Sequence, residues 1–126
     1  MKLIALIALL CVSVSNFADQ AMSDIEISTK YSNGTIVSTF KDDMVSYKFT
    51  EGRMKGAFAK NLRYESHLIG EYMYFVVFHD TNNNNRFTLV IDLKNKREFT
   101  SAIMSYKSDR SYNFVTDGEI INVKRL

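Results

Sequence analysis

The chain has 126 residues, which is enough for one domain and little more. Its 16 basic and 14 acidic residues give a formal charge of +2, without the basic clusters that indicate binding to nucleic acid or to an anionic membrane. The one cysteine, Cys11, lies in an apolar segment near the start, which excludes disulfides, thiolate catalysis and cysteine metal ligands from the rest of the chain.

The first 18 residues have the layout of a secretory signal peptide. Lys2 gives a positive start, residues 3–14 are apolar apart from Ser13, and small and polar residues follow. The apolar stretch is shorter than the roughly 20 residues of a membrane-spanning helix. We therefore predict a signal peptide over residues 1–18, cleaved after Ala18 or within a few residues of it. The protein is then secreted or periplasmic and meets the membrane only during export; an uncleaved anchor is the alternative.

Residues 19–126 have the composition of a β-protein. They are rich in Tyr, Phe, Val, Ile and Thr and contain no proline. Side chains alternate with period two over residues 44–50, 62–68, 72–79, 86–93 and 98–106, and the run at 72–79 is apolar on both faces. Turn residues occur at 32–34, 41–43, 51–52, 80–85, 94–96, 108–109 and 117–118. This spacing predicts about eight or nine short antiparallel strands.

So many short strands in one small domain indicate a β-barrel or a β-sandwich. We favour a small antiparallel barrel of the lipocalin or calycin type over residues 19–126. Closure removes the edge strands that a proline-free chain would otherwise have to protect. An eight-stranded barrel can be packed solid or can hold one small ligand.

Few side chains indicate chemistry. His67 and His79 are the only histidines, and no H-x-H or H-E-x-x-H spacing supports a metal site. The chain also lacks a G-x-S-x-G nucleophile motif and a glycine-rich phosphate loop. We therefore predict no metal and no cofactor. Glu71 precedes an apolar strand: pointing inward, it would be a desolvated acid or base, and otherwise it is a solvated residue beside Gly70.

Aromatic side chains are the strongest indication of a ligand site. Most of them must form the core, but a subset can line a pocket for an aromatic or lipid-like molecule. The four asparagines at residues 82–85 are interpreted as a solvated loop, with a ligand clamp as the alternative. The predicted pocket residues are Tyr47, Phe49, Tyr64, Tyr72, Tyr74, Phe78 and Phe87.

Three segments between residues 45 and 106 resemble a known group of proteins. They read YKFTEGRMKGAF, HLIGEYMYFVVFHD and RFTLVIDLKNKREFTSAI. Their order is similar to that in the calycin-like barrels of the phenolic acid decarboxylases and of the proteins named for molybdenum cofactor biosynthesis protein F (MoaF). The resemblance implies an antiparallel barrel of lipocalin type with a central pocket.

The resemblance also bears on activity. The decarboxylases use a glutamate, an arginine and a pair of tyrosines, without a cofactor. Glu71 falls where their glutamate would lie, whereas Ala57 stands in place of the arginine and no tyrosine occurs near residues 38–40. An isolated carboxylate cannot position the charge of a phenolic acid. The non-enzymatic or uncharacterised barrels of this group are therefore the better match.

Three functional hypotheses remain open. The first is a non-catalytic secreted or periplasmic barrel that binds a small apolar or aromatic ligand. The second is a cofactor-free, decarboxylase-like enzyme that uses Glu71. The third is a protein–protein interaction module with a packed barrel, in which the asparagine loop and residues 94–97 form the contact surface. The sequence indicates no oligomeric state.

Overall fold

The computed structural model describes residues 22–126, which form a closed barrel of eight antiparallel β-strands. Each strand pairs with its neighbours in sequence, and the last strand pairs with the first, which confirms the all-β barrel. The predicted signal peptide lies outside the described residues. The strands are β1 (Ile25–Tyr31), β2 (Gly34–Lys41), β3 (Met44–Gly52), β4 (Phe58–Gly70), β5 (Met73–Asp80), β6 (Asn85–Asp92), β7 (Arg97–Met104) and β8 (Tyr112–Arg125).

Short connections join most of the strands, and their residues suit the backbone they adopt. Asp42 and Asp43, between β2 and β3, have φ values of 53° and 59°. Two successive positive φ values are those of the tight hairpin turn that matches the twist of antiparallel strands, and aspartate tolerates them. Across residues 22–126 the structure contains no helix of the length and apolarity needed to cross a membrane.

The turn predicted at residues 117–118 is wrong, because Asp117 and Gly118 lie within β8. A glycine is required at position 118 because neighbouring atoms leave no room for a Cβ atom. A Cβ atom at Gly118 would lie 2.8 Å from Cγ2 of Thr29, 2.9 Å from the carbonyl oxygen of Lys30 and 2.9 Å from Cδ1 of Tyr31. Only a residue without a side chain lets the Tyr31 ring lie against β8 at this point.

One end of the barrel, which we call the closed end, is packed solid. It carries the β2–β3, β4–β5 and β6–β7 turns. The rings of Phe40 and Tyr64 meet edge to face, with centroids 5.1 Å apart, and the Tyr64 hydroxyl donates to the main-chain oxygen of Met22. The segment before β1 therefore covers this end. The buried cluster consists of Met22, Ile25, Ile27, Phe40, Val45, Ala59, Leu62, Tyr74, Val76, Leu89, Ile91, Leu93 and Ile120.

Candidate ligand-binding cavity

The other end, which we call the open end, encloses a cavity of about 490 Å³. It carries the β1–β2, β3–β4, β5–β6 and β7–β8 connections, and every strand contributes at least one lining side chain. The barrel is thus packed at one end and hollow at the other. A cavity of this size falls within the range of about 300–1,000 Å³ that is usual for small-molecule sites.

Four aromatic side chains form one wall of the cavity. Phe78 on β5 and Phe87 on β6 are directly opposite in the strand pairing, and their rings stack with centroids 4.9 Å apart. The ring of Tyr47 lies 6.1 Å from that of Phe87 and 6.2 Å from that of Phe49, both at steep angles. These four residues belong to the set predicted from the sequence. Their rings offer both faces and edges to a ligand.

The other three predicted aromatic residues lie elsewhere. Tyr64 and Tyr74 pack in the closed end. Tyr72 is in the β4–β5 turn, where a φ of 54° directs its side chain outward, and 57% of its surface is exposed.

Glu71 occupies the same turn and is also exposed. Its Oε2 lies 3.0 Å from Nζ of Lys94, and the two side chains are 67% and 57% exposed respectively. The structure therefore places this carboxylate at the closed end, in solvent and away from the cavity. An exposed ion pair of this kind contributes little to stability.

Tyr47 also ties the cavity wall to the asparagine loop. Its hydroxyl donates to Oδ2 of Asp80 at 2.5 Å, and Asp80 is completely buried. Asp80 also accepts the main-chain N–H groups of Asn82 and Asn83 at 3.0 and 3.1 Å, and the Asn83 side-chain amide at 2.9 Å. Burial and the neighbouring Asp80 both raise the pKa of Tyr47, so that its hydroxyl keeps its proton and remains a donor.

A buried carboxyl group lies deeper in the cavity. Glu98 on β7 is 5% exposed and accepts hydrogen bonds from the hydroxyls of Thr29 at 2.6 Å and Tyr31 at 2.8 Å. The Tyr31 hydroxyl lies 2.9 Å from Oγ1 of Thr100. Burial raises the pKa of Glu98, and the hydrogen bonds from Thr29 and Tyr31 act in the opposite direction. Burial also raises the pKa of Tyr31, and Glu98 adds to this effect.

Sequence reasoning missed this polar cluster, although a signal for it exists. Glu98 and Thr100 are in phase with Ala102, which is buried, along β7. Thr29 and Tyr31 are likewise in phase with the buried isoleucines of β1. Strict alternation therefore predicts that all four polar side chains point inward.

The two histidines lie apart from this polar cluster. Within residues 22–126, no group of three His, Cys, Asp or Glu side chains is arranged to hold a metal ion. His67 is exposed, and the ring of His79 contacts Oδ1 of Asn84 at 3.1 Å. The cavity therefore offers aromatic surface, hydroxyl groups and one buried carboxyl to a ligand.

Comparisons with known proteins agree with the barrel. The family model of the MoaF N-terminal domain matches residues 16–107, which is most of the chain. A search of curated proteins found no match. Among solved structures, one described as a "putative beta-lactamase" from Burkholderia vietnamiensis is similar, with a TM-score of 0.69 and 13% sequence identity. The alignment covers 85% of this chain and 97% of that one. At this identity the similarity shows a shared fold alone.

Proposed function

We propose that this chain, which belongs to the MoaF N-terminal domain family, is a binding protein that holds one small apolar or aromatic ligand in the open end of its barrel. The observation that carries the proposal is the cavity of about 490 Å³. The packed closed end buries the large apolar side chains that stabilise the fold. The open end can therefore remain hollow.

The composition of the cavity wall supports the same function. Small-molecule sites are mostly apolar and aromatic, with a few polar groups that orient the ligand. The stacked rings of Phe78 and Phe87 supply the first feature, and the Glu98 cluster supplies the second. A protein–protein module with a packed barrel would have no reason to leave this volume unfilled.

The enzyme hypothesis that used Glu71 receives no support from the geometry. Its carboxylate lies in the exposed closed-end turn, whereas the cavity opens at the other end. Ala57, which stands where the decarboxylases have their arginine, lines the cavity without offering a charge. A bound phenolic acid would meet neither of the two charged groups that the reaction needs.

We also propose that the protein acts outside the cytoplasm. The support is the layout of residues 1–18, with Lys2 followed by an apolar stretch and then small residues. Mass spectrometry of the N-terminal peptide from the exported protein tests this. A mature chain beginning at residue 19, or within a few residues of it, is expected in the exported fraction, and a full-length chain found only in the cytoplasm would overturn the proposal.

Native and denaturing mass spectrometry together test the binding function. The protein is purified from the compartment where its own host places it, and the two masses are compared. We expect extra mass in the native spectrum that is lost on denaturing, because a cavity ligand is held without a covalent bond. No extra mass, together with no thermal stabilisation by a panel of small aromatic and lipid molecules, would overturn the proposal.

A further inference from the structure

We infer that the ligand is an amine on an aromatic or apolar body, bound with its ammonium group against Glu98. The inference rests on the proposed binding function and specifies the class of ligand. It comes from three features of the cavity: the hydrogen-bonding capacity left in the polar cluster, its charge, and the aromatic wall beside it.

When Glu98 is ionised, the polar cluster has unused hydrogen-bond acceptors and no free donors. Thr29 donates its hydroxyl hydrogen to one oxygen of Glu98, and Tyr31 donates to the other. Because the Tyr31 hydrogen is used in this way, the contact with Thr100 has Thr100 as its donor. All three hydroxyl hydrogens are therefore committed. The unused capacity that faces the cavity consists of lone pairs on Glu98 and on Thr100, and these select a ligand that donates hydrogen bonds.

An ionised Glu98 would also lack a charged partner within the described part of the chain. Across residues 22–126 the two ion pairs are Glu71–Lys94 and Asp117–Arg97, both on the outer surface. Arg97 is next to Glu98 in sequence but points to the opposite face of β7. Arg53, the one basic residue among the described residues that line the cavity, lies in the β3–β4 connection at the mouth. Buried carboxylates are normally paired with a positive charge. Because residues 22–126 place no such charge beside Glu98, a cationic ligand can supply it.

The aromatic wall suits the same kind of ligand. An ammonium group is attracted to the faces of aromatic rings, and an aromatic body packs against their faces and edges. A ligand with a carboxylate at its deep end would instead meet Glu98 and be repelled. Burial without a positive neighbour raises the pKa of Glu98, and an ammonium group bound beside it would favour the ionised form.

Isothermal titration calorimetry with three ligands of the same body tests the inference. The ligands are 2-phenylethylamine, 2-phenylethanol and 3-phenylpropionate, titrated at neutral pH and constant ionic strength. A charge-assisted hydrogen bond to a buried carboxylate predicts that the amine binds the wild type at least about tenfold more tightly than the alcohol. The carboxylate is expected to bind most weakly.

Two matched variants locate the effect. Glu98→Gln keeps the size of the side chain and removes its charge, so the amine should bind it about as weakly as the alcohol does, while alcohol binding stays within about threefold of the wild type. Glu71→Gln makes the same change in the exposed turn and should leave all three affinities unchanged. Circular dichroism confirms the fold of each variant. If Glu98→Gln does not fold, the ranking of the three ligands on the wild type decides.

The outcomes separate this inference from the proposed function. If the alcohol or the carboxylate binds the wild type as tightly as the amine does, the inference is overturned and the binding function stands. The same holds if none of the three binds but a ligand without an amine group co-purifies with the protein. If none binds and nothing co-purifies, both proposals fail.

Discussion

Replacing Gly118 with alanine tests how tightly the Tyr31 ring is packed over β8. The added methyl group would meet Cγ2 of Thr29 at 2.8 Å and Cδ1 of Tyr31 and the carbonyl oxygen of Lys30 at 2.9 Å each. Cβ atoms in real structures do not approach neighbours this closely. The two side chains can shift, but the Lys30 carbonyl belongs to the β1–β8 pairing and cannot move without disturbing it.

The expected cost follows from these contacts. Adding a methyl group to a filled site typically destabilises a protein by about 1–3 kcal/mol. In urea, where small domains lose about 1–3 kcal/mol of stability per molar, the unfolding midpoint should fall by roughly 1 M with an unchanged slope. The same shift of Tyr31 would weaken its hydrogen bond to Glu98.

Gly70→Ala is the matched control. A Cβ atom at Gly70 would lie 3.5 Å from Cβ of Met73, which is ordinary van der Waals contact. Because alanine also restricts the unfolded chain, Gly70→Ala should be as stable as the wild type or more stable by up to about 1 kcal/mol. If Gly118→Ala and Gly70→Ala unfold at the same urea concentration, the close approach of Tyr31 to β8 is refuted.

Three further predictions concern the polar groups and the two ends of the barrel. Tyr47→Phe removes one of the four hydrogen bonds to buried Asp80. It should lower the free energy of unfolding, measured by urea denaturation, by about 1–2 kcal/mol. An unchanged free energy of unfolding would contradict the role of that hydrogen bond. The pKa of Glu98 in the folded protein is raised above its ordinary value of 4.5, so folding favours the protonated side chain. The stability gained in this way is fully present below pH 4.5 and is lost as the pH rises through the folded pKa. The stability of the wild type relative to Glu98→Gln should therefore fall as the pH rises above about 4.5, and a constant difference would contradict the raised pKa. Ser38→Phe places a ring in the cavity and should leave the thermal midpoint of unfolding nearly unchanged. Val45→Phe in the closed end should lower the free energy of unfolding by about 1–3 kcal/mol, because that end is already filled. Equal destabilisation by the two substitutions would contradict the division into a packed and a hollow end.

Local alternation predicted much of the fold. The β5 run, apolar on both faces, is observed with Tyr74 and Val76 buried inward and Phe75 and Val77 half-buried on the outside. Closure into a barrel rather than a sandwich was favoured because of the edge strands, and the pairing of β1 with β8 confirms it. These features depend on the two-residue alternation of apolar side chains and on turn residues that lie between neighbouring strands. Both are local patterns, so a single sequence is enough to predict them.

The height of each inward-pointing side chain along the barrel axis could not be predicted from alternation. Tyr47 and Tyr64 both point inward, but one lines the cavity and the other closes the packed end. Their heights depend on the register between strands that are far apart in sequence, which alternation does not determine. The predicted turn at Gly118 failed for a related reason, since the glycine makes room for β1, and no local pattern indicates that approach.

The most direct test of a hollow open end is the binding of a neutral fluorescent aromatic probe, N-phenyl-1-naphthylamine, to the wild type and to Ser38→Phe. We expect saturable 1:1 binding to the wild type, with increased fluorescence in the apolar cavity, and at least about tenfold weaker binding to Ser38→Phe, whose added ring occupies the same space. Equal binding by both proteins, or no saturable binding by the wild type, would contradict a ligand site inside the barrel.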